Sequence, residues 1–207
     1  MKLTLASIAC VLLIFCYAVF GQGVRKVRRQ QAAPILSTST EGETPGAKTA
    51  SAMIANAVLQ SFDSEEGDRL RRCMSENRIP PSDVRKLFVS VQLPAISQNQ
   101  SLYFVRGGNG DCPFIGAHNF QFWLVVMSKS LNSDTYKVLY SGRSDAVSIL
   151  RSIHNGMYDI EVESYTATNA FTAKMEFDGS KYISTLCTEK HRTKRGKEVV
   201  RRIPCDT

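Results

Sequence analysis

Histidine is scarce in this chain, with three among 207 residues, and there is a single tryptophan. His118, His154 and His191 lie outside any Gly-x-Ser-x-Gly, His-Glu-x-x-His or papain-like cysteine segment, so no local hydrolase signature is present. No two of Cys73, Cys112, Cys187 and Cys205 stand at Cys-x-x-Cys spacing, which argues against a zinc finger or ribbon. The glycine-rich stretch 107–113 has neither dinucleotide spacing nor a following Gly-Lys-Ser/Thr, so it does not read as a nucleotide loop. Asn109 and Asp111 resemble the start of a calcium loop, but the later ligands and the closing glutamate are missing. Long apolar runs are lacking too, except one at the start.

That run, from Leu3 to Phe20, follows Lys2 and ends near Val19-Phe20-Gly21. A basic residue, an apolar stretch and small residues at the end describe a secretory signal. Residues 1–21 are therefore expected to be a signal peptide, and no transmembrane segment is expected after its removal. Four cysteines remain beyond it, an even number that suits disulfides in an exported chain. Cys73, Cys112, Cys187 and Cys205 are the candidates. They allow three pairings, among which sequence does not choose.

The formal charge of +7 sits at the ends. Arg25, Lys26, Arg28 and Arg29 cluster near the front, and residues 188–207 carry seven basic against three acidic side chains. The body between them is slightly acidic, which speaks against a nucleic-acid surface, since that needs a basic stripe on the folded part. Basic ends can still attach to an anionic envelope.

Four segments follow from composition: the signal at 1–21, a disordered linker at 22–49, an α+β domain at 50–187 and a basic C-terminal tail at 188–207. The linker is rich in Gln, Ala, Ser, Thr, Gly and Pro, too polar to offset its ordering entropy. Met53, Ile54, Ala57 and Val58 recur at helical spacing, so 50–61 reads as an amphipathic helix. Asp63 or Ser64 caps a second helix with Glu66 in place for a capping box, and Leu70, Cys73 and Met74 form its apolar stripe. Cys73 faces inward there, as a tether from helix to sheet would.

Strands are expected at 86–93, 102–106, 120–127, 135–140, 146–153, 157–165, 170–177 and 181–186. The 120–127 run is apolar on both faces, interrupted only by Gln121, and should be covered on both sides. Asn155-Gly156 and Asp178-Gly179 suit tight hairpin turns. On the 157–165 strand Asp159, Glu161 and Glu163 share one face, with Lys174 able to sit across from them. That face reads as solvated cross-strand pairing or a site for a cation or a basic partner. The expected fold class is α+β, with N-terminal helices packed on a single antiparallel meander sheet of about six to seven strands.

Cys112, Trp123, the Asn155-Gly156-Met157-Tyr158-Asp159 turn and the Phe177-Asp178-Gly179-Ser180-Lys181-Tyr182 hairpin occur in an order that resembles a group of uncharacterised exported bacterial proteins. About half the chain takes part. Met157 stands where that group has an aromatic, and the group's second loop cysteine is missing, so a disulfide carried over from it lacks one partner. The resemblance implies export and an α+β fold, and no activity.

Three functions are consistent with these residues. The first is a small, secreted or periplasmic, non-catalytic binding or inhibitory module, probed at Asn109, Asp111, Phe114 and His118 in the loop before the tryptophan strand. Its partner would be a protein or envelope polymer, with no cofactor, metal or nucleic acid, and the chain a monomer. Phe114 fits either a contact patch or a loop tucked onto the core. The second is a hydrolase using His118 with a nearby carboxylate. The third is surface attachment through the basic ends.

Overall fold

Strand β5 (Phe120–Ser128) is buried from end to end except its last residue. Its even-numbered side chains Phe120, Phe122, Leu124 and Val126 enter one core, while Trp123 and Val125 enter another. An all-apolar strand has this as its stable outcome, because alternation sends half of its side chains to each face and both faces must leave water. Gln121 is the polar exception. Its amide donates to Glu66 Oε1 at 2.9 Å and its oxygen accepts from Arg143 at 3.4 Å.

The computed structural model describes residues 32–108, 112, 114, 119–131, 133–193 and 196–205. The expected signal, at 1–21, lies outside them. Among the described residues eleven strands form two antiparallel sheets. The five-stranded sheet has the order β2 (Lys48–Thr49), β3 (Phe88–Gln92), β4 (Gln100–Gly107), β5, β6 (Thr135–Ser144). The six-stranded sheet runs β1 (Leu36–Ser39), β7 (Ala146–His154), β8 (Met157–Tyr165), β9 (Asn169–Phe177), β10 (Tyr182–Arg192), β11 (Glu198–Ile203). Between the sheets lies a core of Leu102, Phe104, Phe122 and Leu124 from one side against Val147, Ile149, Ile160 and Phe177 from the other.

The expectation of an α+β fold with one meander sheet is therefore corrected: the protein is mostly β, in two sheets. Period-two alternation tells which side chains share a face, but not which sheet a strand joins. The chain changes sheets at Asp145, where β6 ends and β7 begins after one residue. At this corner the Ser144 hydroxyl lies 2.6 Å from the Glu163 carbonyl oxygen and accepts the Glu163 N–H at 3.0 Å. Strands that pass from one packed sheet to the other through such a bend are a recurring way to close a sandwich corner.

Helices α1 (Ala52–Gln60) and α2 (Ser64–Glu76) cover the outer face of the five-stranded sheet. Ser51 caps α1 by accepting the Ile54 N–H at 3.3 Å, and Asp63 caps α2 by accepting the Glu66 N–H at 2.8 Å, each satisfying a donor that the helix cannot. Ile54, Val58, Leu70 and Cys73 pack there with Phe88, Val105 and Trp123. Pro81–Leu87 is a short 3-10 helix, so the strand expected from 86 starts two residues later. No helix among the described residues is long and apolar enough to cross a membrane.

The four cysteines beyond the expected signal all pair. Cys73 joins Cys112, fixing α2 to the segment after β4, and Cys187 joins Cys205. Strands run into two of the segments named from composition. Residues 36–39 and 48–49 of the expected linker are β1 and β2, paired with β7 and β3. Residues 198–203 of the expected tail are β11, paired with β10 from Cys187↔Ile203 to Arg192↔Glu198. All three are edge strands, which need few buried side chains because backbone pairing on one side does the ordering. Leu36 and Thr38 are the only buried side chains of β1.

The Asn155-Gly156 turn forms a two-residue hairpin loop between β7 and β8, with φ of 46° and 79°. Both values lie where Asn and Gly alone sit at little cost. At Asp178-Gly179 the loop is longer, four residues. There the Asp178 carboxylate accepts the Ser180 and Lys181 N–H groups at 2.7 and 2.9 Å.

Between β1 and β2 the chain crosses from one sheet to the other along residues 40–47. This strap is held by Arg106 of β4. Its Nη1 donates to Thr38 Oγ1 and the Ser39 carbonyl at 3.0 Å, and to the Gly42 carbonyl at 3.2 Å.

Candidate functional site

Asn109, Asp111 and His118, three of the four loop residues picked out by sequence, lie outside the described residues. The fourth, Phe114, is 5% exposed. Its ring centroid stands 5.0 Å from Phe88, 5.8 Å from Trp123 and 6.0 Å from Phe62. Of the two readings of this side chain, the structure has the one tucked onto the core. A β-carbon on Gly107 would come 2.1 Å from Phe114 Cβ, so the glycine there makes room for the ring. Gly107→Ala should lower stability by about 1–3 kcal/mol through overpacking, read from the midpoint of urea unfolding.

The carboxylate face of β8 has a different character from the one expected. Asp159 is fully buried, at 0% exposure. It accepts hydrogen bonds from Ser152 Oγ, from His154 Nδ1 at 2.6 Å and from Lys174 Nζ at 2.9 Å. Lys174 also reaches Glu176 Oε1 at 2.7 Å, and His154 Nε2 stands 3.6 Å from Glu176 Oε2. One ligand atom each from His154, Asp159 and Glu176 lies within 4.8 Å of the others, the spacing of a cation site. The Lys174 ammonium already bonds both carboxylates, so the network is a closed ion-pair cluster.

Burial alone would raise the Asp159 pKa, but the hydrogen bonds from Ser152, His154 and Lys174 outweigh it and hold the carboxyl below its ordinary value. A lowered folded pKa contributes stability that is complete above the unfolded value and is lost as pH falls through the folded one. Stability should therefore drop from about pH 4 downward, and Asp159→Asn should flatten that part of the profile. Parallel acid titrations of both proteins by circular dichroism test this; superimposable acid limbs would remove Asp159 from the account.

A roomy cleft lies at the corner itself. It has a volume of about 600 Å³ and is lined by Ser39, Thr40, Glu41, Asp145, Tyr165, Thr166 and Ala167. Three chain segments meet there: the end of β1 with the start of the strap, the β6–β7 bend, and the β8–β9 turn. The strap is tied down by the Thr40 N–H, which donates to the Asp145 carbonyl at 2.9 Å. Pockets of 300–1,000 Å³ are the size that accepts small organic ligands.

Asp145 is the decisive residue in the wall. It is 8% exposed. One carboxylate oxygen accepts the Tyr165 N–H at 2.8 Å, and among the described residues no cation pairs with it. A buried carboxylate ordinarily has a cation or several N–H groups around it, because desolvation is costly. Tyr165 presents its half-exposed ring beside it, and its hydroxyl donates to the Glu163 carboxylate. Burial, then the Glu163 hydrogen bond and the charges of Glu163, Asp145 and Glu161 push the Tyr165 pKa up to about 12. Burial and the Glu163 charge also raise Glu161, with Lys174 easing the effect. The corner is thus a region of negative potential with an aromatic face, suited to a positively charged group.

Sequence reasoning missed Asp145, Tyr165 and Glu41. Glu41 fell in the expected linker, and Asp145 carries no local pattern beyond a break between two β runs. Set against protein-family models, curated proteins and solved structures, the chain matches none of them.

Proposed function

We propose that the protein is an exported, non-catalytic binding module whose ligand carries a positively charged amine. The apolar run at 3–20 and the pairing of all four later cysteines support export. One observation carries the binding reading: a buried carboxylate with no cation partner among the described residues, Asp145, in the wall of a 600 Å³ cleft. An ammonium group there would pair with Asp145, lie near Glu41, and present its apolar side to the Tyr165 ring. The two sheets and the strap hold these groups in place before a ligand arrives, which limits the ordering cost of binding.

Benzylamine and benzyl alcohol share a ring and differ in one charged group, so they test the reading directly. By NMR titration at fixed ionic strength, benzylamine should bind at least about tenfold more tightly, with shifts confined to Thr40, Asp145 and Thr166. Asp145→Asn should erase the difference. Equal affinities for the two compounds on the unmodified protein would defeat the proposal.

A further inference from the structure

Further along the strap lies another cleft, of about 300 Å³, with Gly42, Glu43, Thr44, Val89 and Arg106 in its wall. We propose that it is an oxyanion-binding site in which Arg106 receives a carboxylate, sulfate or phosphate group of a ligand. The Arg106 guanidinium has five N–H donors to place. Nε donates to the Gly107 carbonyl at 3.3 Å. Nη1, with two hydrogens, faces four acceptors: Thr38 Oγ1, the Ser39 and Gly42 carbonyls, and Thr44 Oγ1 at 3.3 Å. Nη2 bonds to none of the described protein atoms.

The remaining donors must therefore face the cleft. No buried side-chain nitrogen or oxygen among the described residues lacks a hydrogen-bond partner, so Nη2 is open to solvent, and Arg106 lines this cavity. A guanidinium devoted to the strap alone would share its acceptors between Nη1 and Nη2. Here one nitrogen is oversubscribed and the other is left for something else.

Charge gives the same direction. Arg106 is 3% exposed, and every protein group it bonds is neutral. Its guanidinium carbon lies 4.3 Å from the Phe120 ring centroid, a contact that favours the cation without neutralising it. No carboxylate among the described residues forms an ion pair with it, and burial pushes its pKa down. A buried cation in this condition gains most from an anion that brings both charge and acceptor oxygens. Nitrogens already engaged on both edges leave no two-pronged fork, so recognition is through Nη2 alone and affinity should fall in the millimolar range. Glu43 is the charged group that shares the cleft wall. Its exposed carboxylate opposes an incoming anion, so it is the residue whose removal should tighten binding.

The test titrates the full protein with inorganic phosphate, sulfate and acetate at constant ionic strength, with chloride as the control. Saturable amide shifts at Gly42, Thr44, Gly107 and Gly108 are expected with the oxyanions and not with chloride. Phosphate and sulfate ahead of acetate would identify a tetrahedral group, and the reverse order a carboxylate. Arg106 also holds the strap, so Arg106→Lys is informative only if the circular dichroism spectrum is unchanged. It should then lose the shifts. Glu43→Gln leaves the clamp intact and should tighten oxyanion binding by roughly two- to threefold, as removal of one like charge at a solvated rim requires. Shifts shared with chloride, failure to saturate, or indifference to Glu43→Gln would overturn the proposal. Benzylamine binding at the Asp145 cleft should stay unchanged throughout, so the two sites fail or succeed separately.

Discussion

Trp123→Ala is expected to cost about 3–5 kcal/mol of folding stability, a large share of the roughly 5–15 kcal/mol that holds a domain of this kind together. The indole is 1% exposed and lies where three rings meet. Phe88 and Phe114 approach it edge-on at 5.6 and 5.8 Å between centroids, and Phe62 lies tilted at 5.9 Å. Each of those rings comes from a different segment: the turn between α1 and α2, the start of β3 and the segment after β4. Truncation leaves a cavity that none of them can fill alone, since each is fixed by its own backbone. The loss falls on the helix-side core and leaves Phe104, Phe122 and Leu124 between the sheets untouched. Urea unfolding with the slope unchanged and the midpoint lowered would match; a loss below about 1 kcal/mol would mean the ring is not packed in that layer.

Removing the Cys73–Cys112 bond through a double serine variant should cost about 4 kcal/mol, against about 3 kcal/mol for Cys187–Cys205. The ordering follows from the closed loops, 39 residues apart in one case and 18 in the other, because a longer loop gives the unfolded chain more freedom once released. Location adds to the contrast. The first bond fixes α2 beside Phe114 and Trp123, at the heart of the helix-side core. The second joins β10 to the residues just after β11, whose side chains are mostly exposed. Thermal melts of both double variants under oxidising conditions would check this, and a larger loss from the second bond would reverse the ordering.

What was legible in the sequence had a local cause. β5 could be read because no other element is apolar on both faces over eight residues. The cap at Asp63 and the Asn155-Gly156 turn could be read because each depends on one residue's own geometry. The role of Cys73 as a tether followed from its place beside Leu70 on the α2 stripe.

Other features depended on partners far along the chain. β11 is a run of Glu, Val and Arg with exposed side chains, and only its pairing with β10 makes it a strand. Asp159, Glu161 and Glu163 do share a face, as alternation requires, yet Asp159 is buried because Ser152, His154 and Lys174 close over it. The candidate cleft needed three segments separated by more than a hundred residues, between Glu41 and Tyr165. No window on the chain contains that meeting.

The bend at Asp145 has a bearing on how the molecule comes apart. β6 and β7 hand the chain from one layer to the other with one residue between them, and Ser144 bolts that junction to the backbone of β8. β6 is the outer strand of its layer and β7 lies one strand in from the edge of the other, so neither layer parts without straining that junction. Heat or denaturant should therefore find no halfway form, and tryptophan emission, which reports the helix-covered layer, should fade in step with the loss of far-ultraviolet β signal from both.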